Sequence, residues 1–295
     1  MQSRPKVGIA GVGMMGFGIA LNVQKAGFPL SILDHPGNQD TRELVASGAG
    51  LCATAKALAE GCDIIILVVT GSPQVEDVLT REDGILEGLK PGAVVIDCST
   101  SMPASTLRMA ARVETAGGRF LDAPMTRTPK EALEGRLNLL VGCERALYEE
   151  VLPLLESFAE NITHVGATGA GHAMKLVHNF VSLGEISVIA EAAASAAAAG
   201  VDPAMFVEVL SKGGGGGVAL DRLTPMILDN DPTSLKFVIA NARKDIGYYT
   251  EMAGDFGTSR MAADGILAML ETQVQAGHGD SFVPELVKLL ESGGE

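Results

Sequence analysis

Apolar residues in the first half of the chain come in short unbroken runs, each followed by a mixed, helix-like segment. The runs are 6–10 ("KVGIA"), 28–34 ("FPLSILD"), 62–69 ("CDIIILVV"), 93–100 ("AVVIDCST"), 119–126 ("RFLDAPMT") and 137–143 ("LNLLVGC"). Continuous rather than alternating hydrophobicity fits strands buried on both faces of a parallel sheet. Helical patterns fill the gaps, among them 14–26, 73–80, 103–116 and 144–158. Strands alternating with helices imply a doubly wound α/β Rossmann-type sheet, with the last strands open to antiparallel pairing. The texture changes near Gly166. One alanine-rich helical pattern runs from Gly169 to Gly200, roughly 45 Å long at the usual rise per residue. The stretches 202–212, 221–229, 233–253, 258–276 and 281–291 also read as helices. The expectation is therefore an α/β domain over 1–165 and an all-α domain over 166–295, joined by a long interdomain helix. The run Gly213–Gly217 reads as a flexible loop, either a plain linker or a mobile flap.

Composition narrows the classes. Hydrophobic residues make up 47% of the 295-residue chain, enough for two cores. No apolar run reaches the roughly 18 residues of a membrane span, and residues 1–10 lead straight into a strand-like run, so no signal peptide and no membrane partner are expected. The cysteines Cys52, Cys62, Cys98 and Cys143 have no Cys-x-x-Cys spacing. They read as reduced thiols of a cytoplasmic protein, with no metal site. A net charge of −14 disfavours nucleic acid.

The first candidate chemistry is Gly11-x-Gly13-x-x-Gly16, with Met14 and Met15 inside it. On its own this spacing is a weak signal. Here a strand precedes it, a helix follows, and Asp34 ends the second strand. The first glycine allows the tight turn, the second a close backbone approach to a pyrophosphate, and the third close packing of helix on strand. The pyrophosphate would meet free N–H groups at the helix N-terminus. Asp34 would accept hydrogen bonds from ribose hydroxyls and repel a 2′-phosphate, which favours NAD and leaves NADP open; the adjacent His35 would blunt that repulsion. Ligands of open α/β sheets lie beyond the carboxyl ends of the strands. That points to Val69 and Thr70 as cofactor contacts, to Ser99 and Thr100, and to the segment 122–128. Ser99 and Thr100 also read as caps of the next helix.

These motifs together resemble the β-hydroxyacid dehydrogenase family, which includes the 3-hydroxyisobutyrate dehydrogenases and tartronate semialdehyde reductases. The resemblance spans nearly the whole chain. It rests on "GIAGVGMMG", "DCST", "DAPMTRTPKEALEGRLNLLVGC", "GATGAGHAMKLVHN" and Lys244-Asp245. It implies a Rossmann domain followed by a helical domain with the substrate cleft and the oligomerisation surface, hence a homodimer or homotetramer. It also implies catalysis by Lys175 and Asn179, one turn apart on the long helix. Lys175 would be general acid in reduction and base in oxidation, its ammonium partly desolvated. Asn179 would orient the lysine or the substrate. Lys244 matches the family's second, cofactor-side lysine, with a plain surface charge as the alternative. His178 resembles a substrate-contacting histidine of 6-phosphogluconate dehydrogenases, but the glutamate acid of those enzymes is replaced here by Ser182.

One departure bears on the substrate. Where the family reads Asp-Ala-Pro-Val-Ser-Gly-Gly, this chain has "DAPMTRT", with Thr126, Arg127 and Thr128 at the end. The arginine offers a planar fork of donors suited to an oxyanion, and the Arg-Thr pair resembles the sulfolactaldehyde reductase branch. Arg127 is thus expected to bind the anionic group of a small substrate, carboxylate or sulfonate, or else to turn outward or pair with Glu131. The reading that follows is an NAD(P)-dependent dehydrogenase or reductase interconverting a small acidic 3-hydroxy acid and its semialdehyde, or a sulfolactaldehyde-type reductase. A catalytically inactive nucleotide-binding regulator and an imine reductase are the competing classes. Both fit poorly with Lys175 and Asn179.

Overall fold

The computed structural model describes residues 4–291, so the expectation for residues 1–10 falls partly outside it. The chain divides into two compact units, Met1–Lys175 and Leu176–Glu295. The first unit opens with β1 (Val7–Ala10), α1 (Met14–Lys25), β2 (Leu30–Leu33), α2 (Arg42–Ala46), β3 (Gly50–Cys52), α3 (Ala55–Gly61) and β4 (Ile64–Leu67). It continues with α4 (Ser72–Thr80), α5 (Ile85–Gly88), β5 (Val94–Asp97), α6 (Pro103–Thr115), β6 (Arg119–Asp122), β7 (Met125–Thr126) and α7 (Pro129–Leu133). It closes with β8 (Leu137–Gly142), α8 (Arg145–Leu155) and β9 (Ala159–Gly166). The sheet order is β3-β2-β1-β4-β5-β6-β8-β7, with β9 also paired to β8. Strands β3 through β6 run parallel, and β8 meets β6 and β7 antiparallel. This is the doubly wound order whose chain direction switches between β1 and β4.

The unbroken apolar runs have a simple cause. Ile64 and Ile66 of β4 enter one core with Val94 and Ile96 of β5, while Ile65 and Leu67 enter another with Val95. Successive side chains of a strand point to opposite faces, and helices cover both, so no position is left for a polar residue. The expected strand over 119–126 is in fact two, broken at Ala123 and Pro124; proline has no N–H for a ladder. The short elements α2, β3, α3, α5, α7 and β9 were not legible, because most are one or two turns long or lie near the sheet edge with few buried residues.

Then comes α9 (Ala170–Ala198), 29 residues long, within which the two units meet in sequence. The second unit continues with α10 (Pro203–Ser211), α11 (Val218–Asp229), α12 (Ile239–Asp255), α13 (Met261–Gln275) and α14 (Leu286–Leu289). Its core holds Leu183, Ile186, Ala190, Leu220, Leu223, Ile239, Ile246, Leu270 and Leu286. The helix expected at 233–253 starts later, after a 3-10 turn at Pro232–Ser234, and the one at 281–291 is reduced to a 3-10 turn and α14. Gly217 precedes α11 with φ +145°, a conformation that favours glycine. One expectation needs correcting. By length and mean hydropathy, α9 is apolar enough to cross a membrane, although Leu183, Ile186, Ala190 and Ala193 spend its apolar surface on the helical core.

Candidate active site

The loops beyond β1 and β2 form one hydrogen-bonded piece. Gly11 has φ +99°, and a Cβ there would lie 2.2 Å from the Val68 carbonyl oxygen at the end of β4. A Cβ on Gly16 would come within 1.9 Å of the Gly11 oxygen. These two glycines let the turn close. Gly13 differs: its Cβ would meet nothing nearer than the Gly37 oxygen at 4.0 Å. Beside Gly13 there is room, and α1 begins there with no side chain capping it and no acid in its first turn. Met14 is exposed, while Met15 packs against the core. Asp34 is exposed at the end of β2, and its N–H donates to the Cys52 oxygen at 2.8 Å. Asn38, which the sequence reading passed over, ties the loops together. Its Oδ1 accepts from Val12 N–H at 3.1 Å, and its Nδ2 donates to the Leu33 oxygen at 2.9 Å. His35 turns back on its own loop, where Nδ1 accepts from Gly37 N–H at 3.0 Å. Open space, free N–H donors and a carboxylate at the next strand end fit a dinucleotide.

The loops after β4 and β5 are also joined. Ser99, almost wholly buried, accepts at Oγ from Val69 N–H at 3.0 Å and donates its own N–H to Asp97 Oδ1 at 2.9 Å. Thr70 is exposed and Thr100 half-buried. Neither Ser99 nor Thr100 caps α6, whose N-cap is Met102 without a side-chain bond, so the capping alternative falls away.

At the third loop, Thr126 is buried in β7 and its Oγ1 accepts from Asn138 Nδ2 at 3.1 Å. Arg127 has φ +81°. A non-glycine residue pays roughly 1–2 kcal/mol there, which accounts for the glycine that the family pattern carries at this place. Its guanidinium pairs with Glu160 and donates to the Arg136 carbonyl oxygen. The expected alternative partner, Glu131, is engaged elsewhere: it accepts from Thr128 N–H at 3.1 Å and from the Thr128 hydroxyl in a capping box. Arg127 holds the Glu160 carboxyl below the usual carboxylate range, and the Thr128 hydroxyl does the same for Glu131.

At the start of α9, Asp122 accepts from Gly169 N–H at 2.7 Å and from His172 N–H at 2.8 Å, so a strand-end carboxylate caps the helix. Burial raises the Asp122 carboxyl above its ordinary value, opposed by His172 and the two N–H groups. One turn further lies Lys175, half-buried. The apolar letters around it mislead. Met174, Val177 and Val181 are exposed, whereas His172, Leu176, Asn179, Leu183 and Ile186 form the buried stripe. Lys175 borders that stripe rather than interrupting it.

In the second unit, Asn179 is buried and donates from Nδ2 to Asp245 Oδ2 at 2.6 Å. Lys244 donates to the other oxygen, Asp245 Oδ1, at 2.7 Å and sits 4.9 Å from the Tyr248 ring centroid. Lys244 is therefore no free surface charge; its side chain is 21% exposed. His178 lies 3.1 Å from Asn179 Oδ1 through Nδ1. Since the Asn179 amide faces a carboxylate with its NH₂, its Oδ1 accepts, and His178 carries its proton on Nδ1. Asp245 was the residue missed. The sequence displayed the Lys244-Asp245 pair, but nothing local indicated that the carboxylate would reach Asn179, 66 positions away.

The chain matches two family descriptions end to end: "NAD binding domain of 6-phosphogluconate dehydrogenase" over residues 6–166, and "NAD-binding of NADP-dependent 3-hydroxyisobutyrate dehydrogenase" over 169–290. It is 36% identical over 218 residues to 2-hydroxy-3-oxopropionate reductase of Escherichia coli, covering 74% of this chain and 73% of the relative. It is 29% identical over 292 residues to NAD-dependent L-serine dehydrogenase of Pseudomonas aeruginosa, covering 97% and 98%. The crystal structure of 3-hydroxyisobutyrate dehydrogenase from Salmonella typhimurium superposes with a TM-score of 0.84 at 28% identity, covering 96% of this chain and 99% of that one. Two family matches that run from the glycine turn through the last helices, and relatives spanning nearly its full length, put this chain in the β-hydroxyacid dehydrogenase family of NAD(P)-dependent oxidoreductases that act on CH–OH groups.

Proposed function

We propose that the protein interconverts a small acidic hydroxy acid and its semialdehyde, with Lys175 as general acid and base. The observation that carries this reading is the half-buried lysine one turn into a helix whose start is capped by a buried strand-end carboxylate. A bound nicotinamide supplies or accepts the hydride. The residues read as holding it are Gly11, Gly13, Met14, Met15, Gly16, Asp34, Val69, Thr70, Thr100 and Lys244. In reduction, negative charge grows on the substrate oxygen; the Lys175 ammonium stabilises it and gives up a proton. In oxidation the neutral amine takes the hydroxyl proton. Asn179, its amide oriented by Asp245, positions the substrate together with His178, while the buried Ser99 acts only through the Val69 loop that it holds. The spacing of four between Lys175 and Asn179 along α9 supports the role of Asn179.

Arg127, with Thr126 and Thr128, is read as the anion site for a carboxylate or sulfonate. Glu160 pairs with the same guanidinium, so a substrate anion would compete with a surface carboxylate. The exposed Asp34 supports NAD over NADP. The curated relatives act, by their names, on 2-hydroxy-3-oxopropionate, L-serine and L-threonate, which makes C3–C4 acids the first compounds to try. The test is a panel of C3–C5 hydroxy acids, semialdehydes and sulfolactaldehyde with each nicotinamide, read by absorbance at the reduced-cofactor band. No turnover with any of them would sink the reading. Turnover in wild type that survives intact in Lys175→Ala would remove the lysine's role.

A further inference from the structure

We propose that His172 is a positioning residue for this reaction: it fastens the helical turn that presents Lys175 to the loops read as holding the nicotinamide. The inference rests on the reading of Lys175 given above. The His172 side chain is wholly buried in the first unit. Its Nε2 lies 3.2 Å from the Ser99 carbonyl oxygen. A carbonyl only accepts, so Nε2 carries a proton in either charge state of the ring. Its Nδ1 lies 2.7 Å from Thr106 Oγ1 of α6. Its main-chain N–H enters the Asp122 carboxylate. Two carboxylates flank the ring, Asp97 at 3.8 Å and Asp122 at 3.7 Å.

Ser99 is the hinge of the arrangement. Its Oγ holds Val69 N–H from the loop after β4, its N–H is held by Asp97 at the end of β5, and its carbonyl receives His172. The imidazole thus joins α6 and the loop after β5, and through Ser99 the loop after β4, to the first turn of α9, while the His172 main-chain N–H adds the end of β6. Lys175 is three residues further along that helix, on the adjoining turn. Packing alone would not call for histidine. Leu176, a few residues on and equally buried, shows that an aliphatic side chain fills the interior beside this turn. A polar ring removed from water is costly unless its nitrogens are satisfied, and here both are, by partners on different elements. Directional bonds to several elements fix a rigid register, which a methyl contact does not.

The test compares His172→Leu, which fills volume without hydrogen bonds, with His172→Gln, which keeps a donor in reach of the Ser99 oxygen. The measurements are kcat, KM, the cofactor dissociation constant and the primary deuterium isotope effect with deuterated reduced cofactor. For His172→Leu we expect kcat to fall about 10- to 100-fold, the isotope effect to rise as bond-breaking becomes limiting, and cofactor affinity to stay unchanged. His172→Gln should recover most of kcat. A His172→Leu enzyme with lowered melting temperature but wild-type kcat and isotope effect would overturn the proposal, since a merely structural role predicts that. Should the leucine variant not fold, the near-isosteric Thr106→Val decides in its place: a several-fold lower kcat with a raised isotope effect supports the proposal, and wild-type values overturn it. Lys175→Ala run alongside separates the two readings. Full activity there overturns the role of Lys175 and this proposal with it. An inactive Lys175→Ala beside a fully active His172→Leu overturns only the proposal.

Discussion

Two polar clusters flank Lys175 in the sequence, and they differ in access to solvent. The earlier one, Asp97, Ser99, Thr106, Asp122 and His172, is sealed, each member at most a few per cent exposed. The later one, His178, Asn179, Lys244 and Asp245, is graded: Asp245 and Asn179 are buried, Lys244 is 21% exposed and His178 is exposed. A sealed network cannot touch a substrate. It can only fix where other groups stand, and it does so well because satisfied hydrogen bonds in a low-dielectric interior are strong. A graded network keeps its inner members fixed while the outer ones meet a ligand. On the proposed reading, the difference divides positioning from chemistry within a stretch of eight residues, from His172 to Asn179.

The sharpest way to break this comparison is at the residue between the clusters. Lys175→Ala should lower kcat by about 10²- to 10⁴-fold while leaving cofactor binding and thermal stability near wild type, checked by steady-state kinetics and calorimetry. Within the sealed cluster, the carboxylate that caps α9 should respond in stability. Asp122→Ala strands two buried N–H groups, each worth about 1–3 kcal/mol, to be read from denaturant unfolding; Asp122→Asn, which keeps one acceptor oxygen, should lose less. In the graded cluster, Asp245→Asn keeps the shape but removes the charge that holds Lys244. We expect a KM for cofactor raised several-fold and a kcat lowered less than in Lys175→Ala. An unchanged cofactor KM would detach Lys244 from the cofactor.

The smallest effects belong to the surface pair. Arg127→Ala should raise KM for anionic substrates and leave kcat close to wild type, whereas Glu160→Gln should lower KM by freeing the guanidinium. The pair also carries a pH signature. Arg127 depresses the Glu160 carboxyl, so the pair's contribution to stability is present above the ordinary glutamate value of about 4.3 and fades as pH falls through the lower folded value. The stability difference between wild type and Glu160→Gln should therefore vanish in acid, as acid titrations followed by circular dichroism would reveal.

Much of this was legible beforehand. Gly11 and Gly16 announced a turn because side chains rarely adopt Gly11's φ of +99° and a Cβ on Gly16 would strike backbone at 1.9 Å. The runs at 64–67 and 94–96 announced buried strands, because two-sided burial leaves no polar position within them. Arg127 announced an anion, but its partner in the folded chain is Glu160, 33 residues away, rather than the nearby Glu131. Met174, Val177 and Val181 recur at helical spacing, yet all three are exposed. Periodicity identifies a helix, yet on an alanine-rich helix apolar on nearly every side it cannot say which side packs.

The sequence by itself determined the sheet, the glycine turn, the long helix and the residue types of the chemistry, because each follows from rules acting within a few residues: side-chain alternation, positive φ, helical spacing. Only the tertiary structure decided that Asp122 caps α9, that His172 reaches Ser99 and Thr106, and that Asp245 orients Asn179. Those partners lie 47 to 73 positions apart, and which of several equivalent carboxylates and hydroxyls meets which helix is set by strand order and loop closure, not by any local pattern.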